Sequence, residues 1–427
     1  MKQILYLFVF SGFLFGSSLG ELVHYGLTHS TIIKKSENQI ELSNLAHQNS
    51  KIVQYGDLNL VGSYTRYNSP RTLAPLTPSS IASGSPITTS ENIFSSGVSY
   101  SVALFTGFAQ TREMEINHIS KNISYIKSQL TKEQLVYNIR SLYLSILAQQ
   151  EILKAQKNHT NALRKLTKQI KLEVKLGKKA QIDLLKVKSD LQSSQTYQEI
   201  ISSNIEITKS SLSALVGKRV TRLKPIKIRV KKPRYSIDRL YKKIANLSKI
   251  KIENMQLQKA NKSIDKAHSS KLPQLHLNSY IGKNYAQDLI SDDWEDETIW
   301  QVELNVKYNL IDFGKSSIAS QKAKIAKMNA IYQKEQTILD IKKSLNEAIE
   351  KIKQSYTQYL GNSSQLKLIS KSQKIEEIRY QNGVATLNDL LFIKAQKSLA
   401  RAKVIESRYN YKKSIYYLDY ILERGVK

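Results

Sequence analysis

The sequence predicts an α+β chain of membrane type, in which long helical coiled coils adjoin hairpins of strands and one unit is used twice. Three observations predict this. The segment Leu104-Phe105-Thr106-Gly107-Phe108 ends an alternating stretch and opens a helical run, and Leu310-Ile311-Asp312-Phe313-Gly314 does the same 206 positions later. That offset then holds without a gap, placing Gly177 on Gly383, Asp183 on Asp389 and Leu184-Leu185 on Leu390-Leu391. Finally, Trp300 to Leu310 alternates cleanly between apolar and polar residues. An ungapped repeat of this size implies two copies of one structural unit.

Near the beginning of the sequence stand Lys2, an apolar stretch from Ile4 to Phe15, and the small-residue region Ser17-Ser18-Leu19-Gly20. This is the layout of a secretory signal, expected at residues 1–20, and its apolar core is short for a membrane anchor, which needs about 20 apolar residues. No later stretch approaches a spanning helix, so an exported chain that crosses a membrane must do so with strands. There is no Cys among the 427 residues, which excludes disulfides, thiolate metal sites and a catalytic thiol.

The net charge is +30. Nucleic acid is the usual partner of such a charge. Here the Lys residues are interleaved with Gln, Ser and Glu at helical spacing along the whole chain, without an Arg-rich or aromatic-flanked patch. Solvated helix faces account for this better, with anionic lipid or a negatively charged partner as beneficiaries.

The first repeat is expected over residues 21–217. A polar, partly helical lead-in runs to about residue 55. A strand follows from Leu58 to Tyr64, then a loop from Asn68 to about Ser96 holding Pro70, Pro75, Pro78 and Pro86. A second strand runs from Val98 to Leu104, giving a hairpin over about 58–104. From Gly107 to Gly177 the pattern is continuously helical, about 105 Å at 1.5 Å per residue. Leu135, Ile139, Leu142, Ile146 and Leu153 have coiled-coil spacing, matched in the second copy by Ile341, Leu345, Ala348, Ile352 and Tyr359. A helix of that length must pair with its returning partner, so a helical hairpin is expected over about 107–217 with its tip at Gly177.

Residues 218–235 form a basic linker with Pro225 and Pro233, in which Ile226, Ile228 and Val230 alternate as in a short strand. The second repeat, 236–427, opens with a helix from Ile250 to His268, broken at Leu272-Pro273. A strand around Leu275, Leu277 and Ile281, an acidic loop at Asp292 to Glu297 and the strand from Trp300 to Leu310 make the second hairpin, about 274–310. A helical hairpin over about 314–427 follows, with its tip at Gly383.

Along the last strand Trp300, Val302, Leu304, Val306, Tyr308 and Leu310 share one face, and Gln301, Glu303, Asn305, Lys307 and Asn309 share the other. Its length suits a tilted strand crossing a bilayer, with aromatics near both ends and a polar face suited to a water-filled lumen. Four strands do not close a barrel, and an open sheet edge is not tolerated in lipid. If these strands span, several chains must contribute.

Taken together, the exported start, the duplicated unit, one hairpin of strands per unit and the very long helices resemble the TolC-like outer-membrane efflux proteins. The resemblance covers the chain from about residue 21. It rests on the two junctions, which resemble that family's Leu-Phe-Asp-Gly-Gly or Leu-Phe-Asp-Phe-Gly signature, on the Gly-x5-Asp-Leu-Leu turns at Gly177 to Leu185 and Gly383 to Leu391, and on Leu272-Pro273. It implies a homotrimer whose chains share one β-barrel in the outer membrane, above a helical coiled-coil barrel forming a tunnel across the periplasm. Such a protein is a conduit rather than an enzyme, needs no cofactor, and exports substrates as part of a tripartite efflux pump or type I secretion system. Its partners would be outer-membrane lipids, a periplasmic adaptor and an inner-membrane transporter, without nucleic acid.

The junction residues carried over are Leu104, Phe105, Gly107, Leu310, Asp312 and Gly314. The adaptor would dock at the tips, at Gly177, Lys178, Gly383 and Val384. The periplasmic aperture would be set by Asp389, Phe392, Asp183 and Tyr380, with Tyr380 linked to Asp183. Phe392 stands where the family has a second carboxylate and Ala385 where it has an Arg. The acidic ring would therefore be thinner, and one of the family's latching links would be missing or relocated. Three symmetry-related Asp389 carboxylates at a constriction would repel one another, which raises a pKa and attracts cations. Without the resemblance, Asp183 and Asp389 read as carboxylates capping the returning helices. The competing reading of the whole chain is a secreted trimeric coiled-coil structural protein with a basic surface. The scattered His residues lack metal-ligand spacing, and no constellation for catalysis is present.

Overall fold

The computed structural model describes residues 16–84 and 87–426. The predicted apolar signal core from Ile4 to Phe15 and Pro86 lie outside the described residues. The chain separates into two compact units. One holds residues up to 38 with 126–251 and 336–427; the other holds 39–125 and 252–335.

The helical unit is built around the greater part, from residues 126 and 336 on, of two very long helices, α4 (Ala109–Lys175) and α8 (Lys315–Gln381), each of 67 residues. At 1.5 Å per residue each is about 100 Å long. α4 contains no Gly or Pro, so nothing interrupts its hydrogen-bond ladder. Each long helix is followed by a shorter one, α5 (Gln181–Val216) and α9 (Leu387–Ile421). On α4, Leu135, Ile139 and Ile146 are fully buried against Leu22 of α1 (Leu19–His29), Ile33 of α2 (Thr31–Ile52), Leu212 and Val216 of α5, and Tyr409 of α9. A second core joins Ile341, Leu345 and Ile352 of α8 to Leu418 of α9 and to Leu240 and Ile250, which lie on α6 (Ile237–Tyr241) and α7 (Ser248–His268). The two predicted apolar stripes are therefore the seams of these cores, except at Tyr359, which lies outside the second.

Ser17 and Ser18, read as part of a cleavage region, are built into this unit. Ser17 makes a parallel bridge with Leu223, and Ser18 caps α1 in a reciprocal box with Glu21.

The second unit carries one antiparallel sheet in the order β1-β2-β3-β4, where β1 is Asp57–Thr72, β2 Thr89–Phe105, β3 Gln274–Gln287 and β4 Trp294–Lys307. Three expectations are corrected here. β1 continues past Tyr64 to Thr72 and β2 starts at Thr89, so much of the expected Pro-rich loop is strand, leaving a short helix α3 (Pro78–Ala82) in the connection. Pro70 is tolerated because it sits in the register break between Arg66 and Arg71, where no ladder bond is required. β4 covers Trp294–Lys307 rather than Trp300–Leu310, so the acidic residues Glu295, Asp296 and Glu297 are strand, not loop. Their charge hides the alternation, and Lys283 on β3 pairs with Asp296. The linker forms no ladder among the described residues beyond the Ser17–Leu223 bridge, and its exposure alternates from Ile226 to Lys231 as in an extended chain.

Candidate functional site

Three places carry the chemistry expected of this chain: the two faces of the sheet, the junctions below it, and the helical hairpin tips.

The register fixes the sheet faces. Leu60, Val98, Ile281 and Trp300 are direct neighbours across all four strands, and Leu58, Tyr100, Ser279 and Val302 form the next row. Val102, Leu277 and Leu304 continue the same face. Over these rows the face is largely apolar and exposed, Leu60 being 87% and Trp300 72% accessible, before a polar row of Gly62, Ser96, Lys283 and Thr298 interrupts it. At the hairpin-loop end it finishes in aromatics, with Tyr64 and Phe94 ring centroids 4.8 Å apart and Phe94 and Trp294 5.9 Å apart. The opposite face is polar. Asn59, Ser99, Tyr280 and Gln301 are cross-strand neighbours, as are Asp57, Ser101, Asn278 and Glu303. A contiguous exposed apolar face marks a surface made for lipid or another chain. β1 and β4 are the sheet's outer strands, with one edge of each unpaired among the described residues.

At the junctions the repeat has a definite backbone meaning. Two successive residues take the left-handed conformation in each: Gly107 and Phe108 with φ of 61° and 70°, and Phe313 and Gly314 with φ of 50° and 90°. The glycine has changed places with the phenylalanine, but the turn is retained. The residue before each pair caps the helix that follows. Thr106 accepts from the N–H of Gln110 at 3.2 Å, and Asp312 accepts from those of Gly314 and Ser316 at 3.0 and 2.9 Å. The Ser316 hydroxyl and these backbone donors hold the Asp312 carboxyl below the usual carboxylate range. Leu104 and Leu310 are exposed, and Phe105 stacks edge-on against Phe108 at 5.1 Å.

At the tips, Gly177 and Gly383 end α4 and α8 with φ of 72° and 77°. The bonding around them is the same. Lys178 N–H reaches Glu173 C=O and Gly177 N–H reaches Val174; Val384 N–H reaches Arg379 and Gly383 N–H reaches Tyr380. This is a glycine-dependent helix stop in which two terminal carbonyls are satisfied. The two tips share one core, where Leu166, Ile170 and Leu184 meet Leu387, Leu390 and Leu391.

Asp389 lies in the first turn of α9, and its carboxylate accepts from the N–H and hydroxyl of Thr386 at 2.9 and 2.7 Å. These bonds hold the Asp389 carboxyl below the usual range in the single chain, opposite to the rise that like-charge crowding would produce. Thr386, the other half of this box, was missed in the sequence although the Thr-x-x-Asp spacing announces it. Phe392, one turn on, is 65% exposed. Tyr380 is half-buried beneath the Lys179 ammonium, which stands 5.1 Å from its ring centroid. Burial, then the charges of Glu173 and Asp183, push the Tyr380 hydroxyl pKa up. The hydroxyl makes no hydrogen bond among the described residues, so the expected Tyr380–Asp183 link is not a bond within the single chain.

With this geometry in place, comparison with known proteins is informative. Residues 241–422 match the family model of the outer membrane efflux proteins. The matched stretch is less than half of the chain and covers the second helical hairpin, the β3–β4 sheet half and the second junction. Among solved structures, the CmeC outer membrane channel of Campylobacter jejuni is similar at 16% identity and a TM-score of 0.77, covering 95% of this chain and 86% of that one. The outer membrane protein VceC of Vibrio cholerae matches at 13% and 0.76, over 96% of this chain and 97% of its own. The MtrE outer membrane channel of Neisseria gonorrhoeae, in its open state, matches at 15% and 0.76, over 96% and 89%. At such identities the likeness establishes the fold, which is mostly helical with antiparallel strands and extends over both halves of the chain. None of the curated proteins matches the chain.

Proposed function

We propose that the chain is one protomer of a trimeric channel-tunnel in the outer membrane, exporting substrates through the periplasm and outer membrane as part of a tripartite pump or type I secretion system. The observation that carries this is the sheet: a four-stranded blade with an exposed apolar face, an opposite polar face and two open edges. Lipid takes the first face, water the second, and neighbouring chains the edges, which makes closure by several copies the natural completion. The match to the efflux family model and the fold shared with solved outer membrane channels support the channel reading, and the number three follows from the resemblance to the TolC-like proteins. The common offset of the two junctions and the two glycine stops supports descent from a duplicated unit.

In this reading Asp389 and Phe392, neighbours on one helical turn, line the periplasmic aperture, giving a carboxylate ring beside an apolar collar. Asp183 and Tyr380 hold the two hairpins together behind it. The exposed tips at Gly177, Lys178, Gly383 and Val384 receive a periplasmic adaptor, which connects the tunnel to an inner-membrane transporter.

The test is to separate membranes of cells producing the chain, extract the outer-membrane fraction in detergent and add the protein to a planar lipid bilayer. The expected result is recovery in that fraction, an oligomer of three chains, and stepwise ion conductance. Recovery as a soluble extracellular protein would favour the secreted coiled coil instead.

A further inference from the structure

We propose that the strap of residues 222–234 is a docking strip for an acidic, extended peptide segment of a partner protein, which binds by adding a strand. This does not depend on the channel reading.

The strap differs from the rest of the surface. Residues 218–234 contain nine Lys and Arg and no Asp or Glu. All nine are exposed. Among the described residues their one ion pair is Lys224 with Glu21, at 3.5 Å. Elsewhere basic side chains are spread along helices, and several are neutralised by carboxylates one turn away, as Lys353 is by Glu350.

The backbone gives these cations a direction. Ile226 and Ile228 pack on the core beneath α1, α4, α5 and α9, and Val230 packs on the neighbouring core. Alternation then points Lys227, Arg229 and Lys231 outward, about 6.7 Å apart along the strap at the rise of an extended chain. Pro225 and Pro233 frame this stretch, and neither permits helix on its N-terminal side. The Tyr143 hydroxyl clamps one end by donating to Lys224 C=O at 2.6 Å, and the Tyr411 hydroxyl clamps the other by donating to Lys231 C=O at 2.7 Å. Between the clamps, no hydrogen bond engages the backbone of residues 225–230 among the described residues.

An extended backbone held rigidly, with unpaired donors and acceptors, is the template used in strand addition. The cations decide what is admitted. A row of Lys on an open edge repels another copy of itself and favours an acidic segment with the same two-residue period. Charge therefore selects the partner, and the open backbone supplies the register.

The test uses the full purified chain, in the assembly it forms, and a fluorescent twelve-residue peptide of alternating Glu and Val. Anisotropy should show binding that weakens with added salt. The exposed triple variant Lys227→Gln/Arg229→Gln/Lys231→Gln, checked by circular dichroism and mass for an unchanged oligomer, should bind about tenfold more weakly. The same peptide N-methylated at alternate residues, which removes the donors needed for pairing, should also bind about tenfold more weakly. No binding by the native chain, equal binding by the triple variant, or equal binding of the N-methylated peptide would overturn the proposal. So would competition by polygalacturonate or phosphatidylglycerol vesicles as effective as that by unlabelled peptide, which would reduce the strap to a general polyanion surface.

Discussion

Asp389 and Thr386 cap one another. The Asp389 carboxylate takes the Thr386 N–H at 2.9 Å and hydroxyl at 2.7 Å, while the Thr386 oxygen takes the Asp389 N–H at 3.2 Å. A residue proposed to line an aperture is thus also the residue that starts the helix carrying it. Thr386→Ala should lower the stability of the tip by about 1 kcal/mol. Hydrogen exchange of the first turn of α9 measures this; exchange unchanged from the native chain would mean the box adds nothing.

The same pair sets a pH dependence. The folded Asp389 carboxyl lies below its unfolded value, so its contribution is present above that unfolded value, about 3.9, and is lost as pH falls through the folded one. In bilayers, cation selectivity should therefore hold from pH 8 to about 5 and fall only below about 4. Asp389→Asn should reduce selectivity across the whole range. Selectivity that disappears near pH 6 would show like-charge crowding outweighing the cap.

The junctions differ in what surrounds their glycines. A Cβ on Gly107 would meet Ser269 O at 2.5 Å and Leu272 Cβ at 2.9 Å, whereas one on Gly314 meets nothing within 4 Å. Both take left-handed φ. Gly107→Ala adds collision to backbone strain and should cost about 3 kcal/mol, and Gly314→Ala, with strain alone, about 1 kcal/mol. Thermal unfolding in detergent ranks them; equal losses would count against this reading of the first junction.

Tyr409 is buried in the seam between α4 and α9 and donates to Glu151 at 2.6 Å, beside the Arg408–Glu151 pair. Tyr409→Phe leaves the ring and removes a hydrogen bond to a charged acceptor, so it should destabilise by about 2 kcal/mol. A denaturation midpoint matching the native chain would place the strength of this seam in its apolar contacts alone.

Much of this architecture was legible because it is local. Gly177 and Gly383 signal helix stops through a conformation that other residues adopt at a cost, and the strand around Trp300 announces itself by alternation. The positive φ of Phe108 and Phe313 was not legible, since a bulky side chain is not expected there; it follows from a turn the rest of the junction imposes. The extension of β1 through Pro70 and of β4 through Glu295 to Glu297 depends on partners across the sheet, which sequence order does not reveal. At the candidate aperture, the Asp389 cap could be read from spacing, whereas the unbonded Tyr380 hydroxyl depends on how two hairpins distant in sequence pack together.

The central claim is that β4 stands between lipid and water. The chain has no cysteine, so single cysteines placed from Trp300 to Val306 can be labelled in intact outer membranes with a water-soluble maleimide. Positions 301, 303 and 305 should react and positions 300, 302, 304 and 306 should stay protected until detergent is added. Equal labelling of both sets in the membrane would contradict a lipid-facing side, and with it the channel.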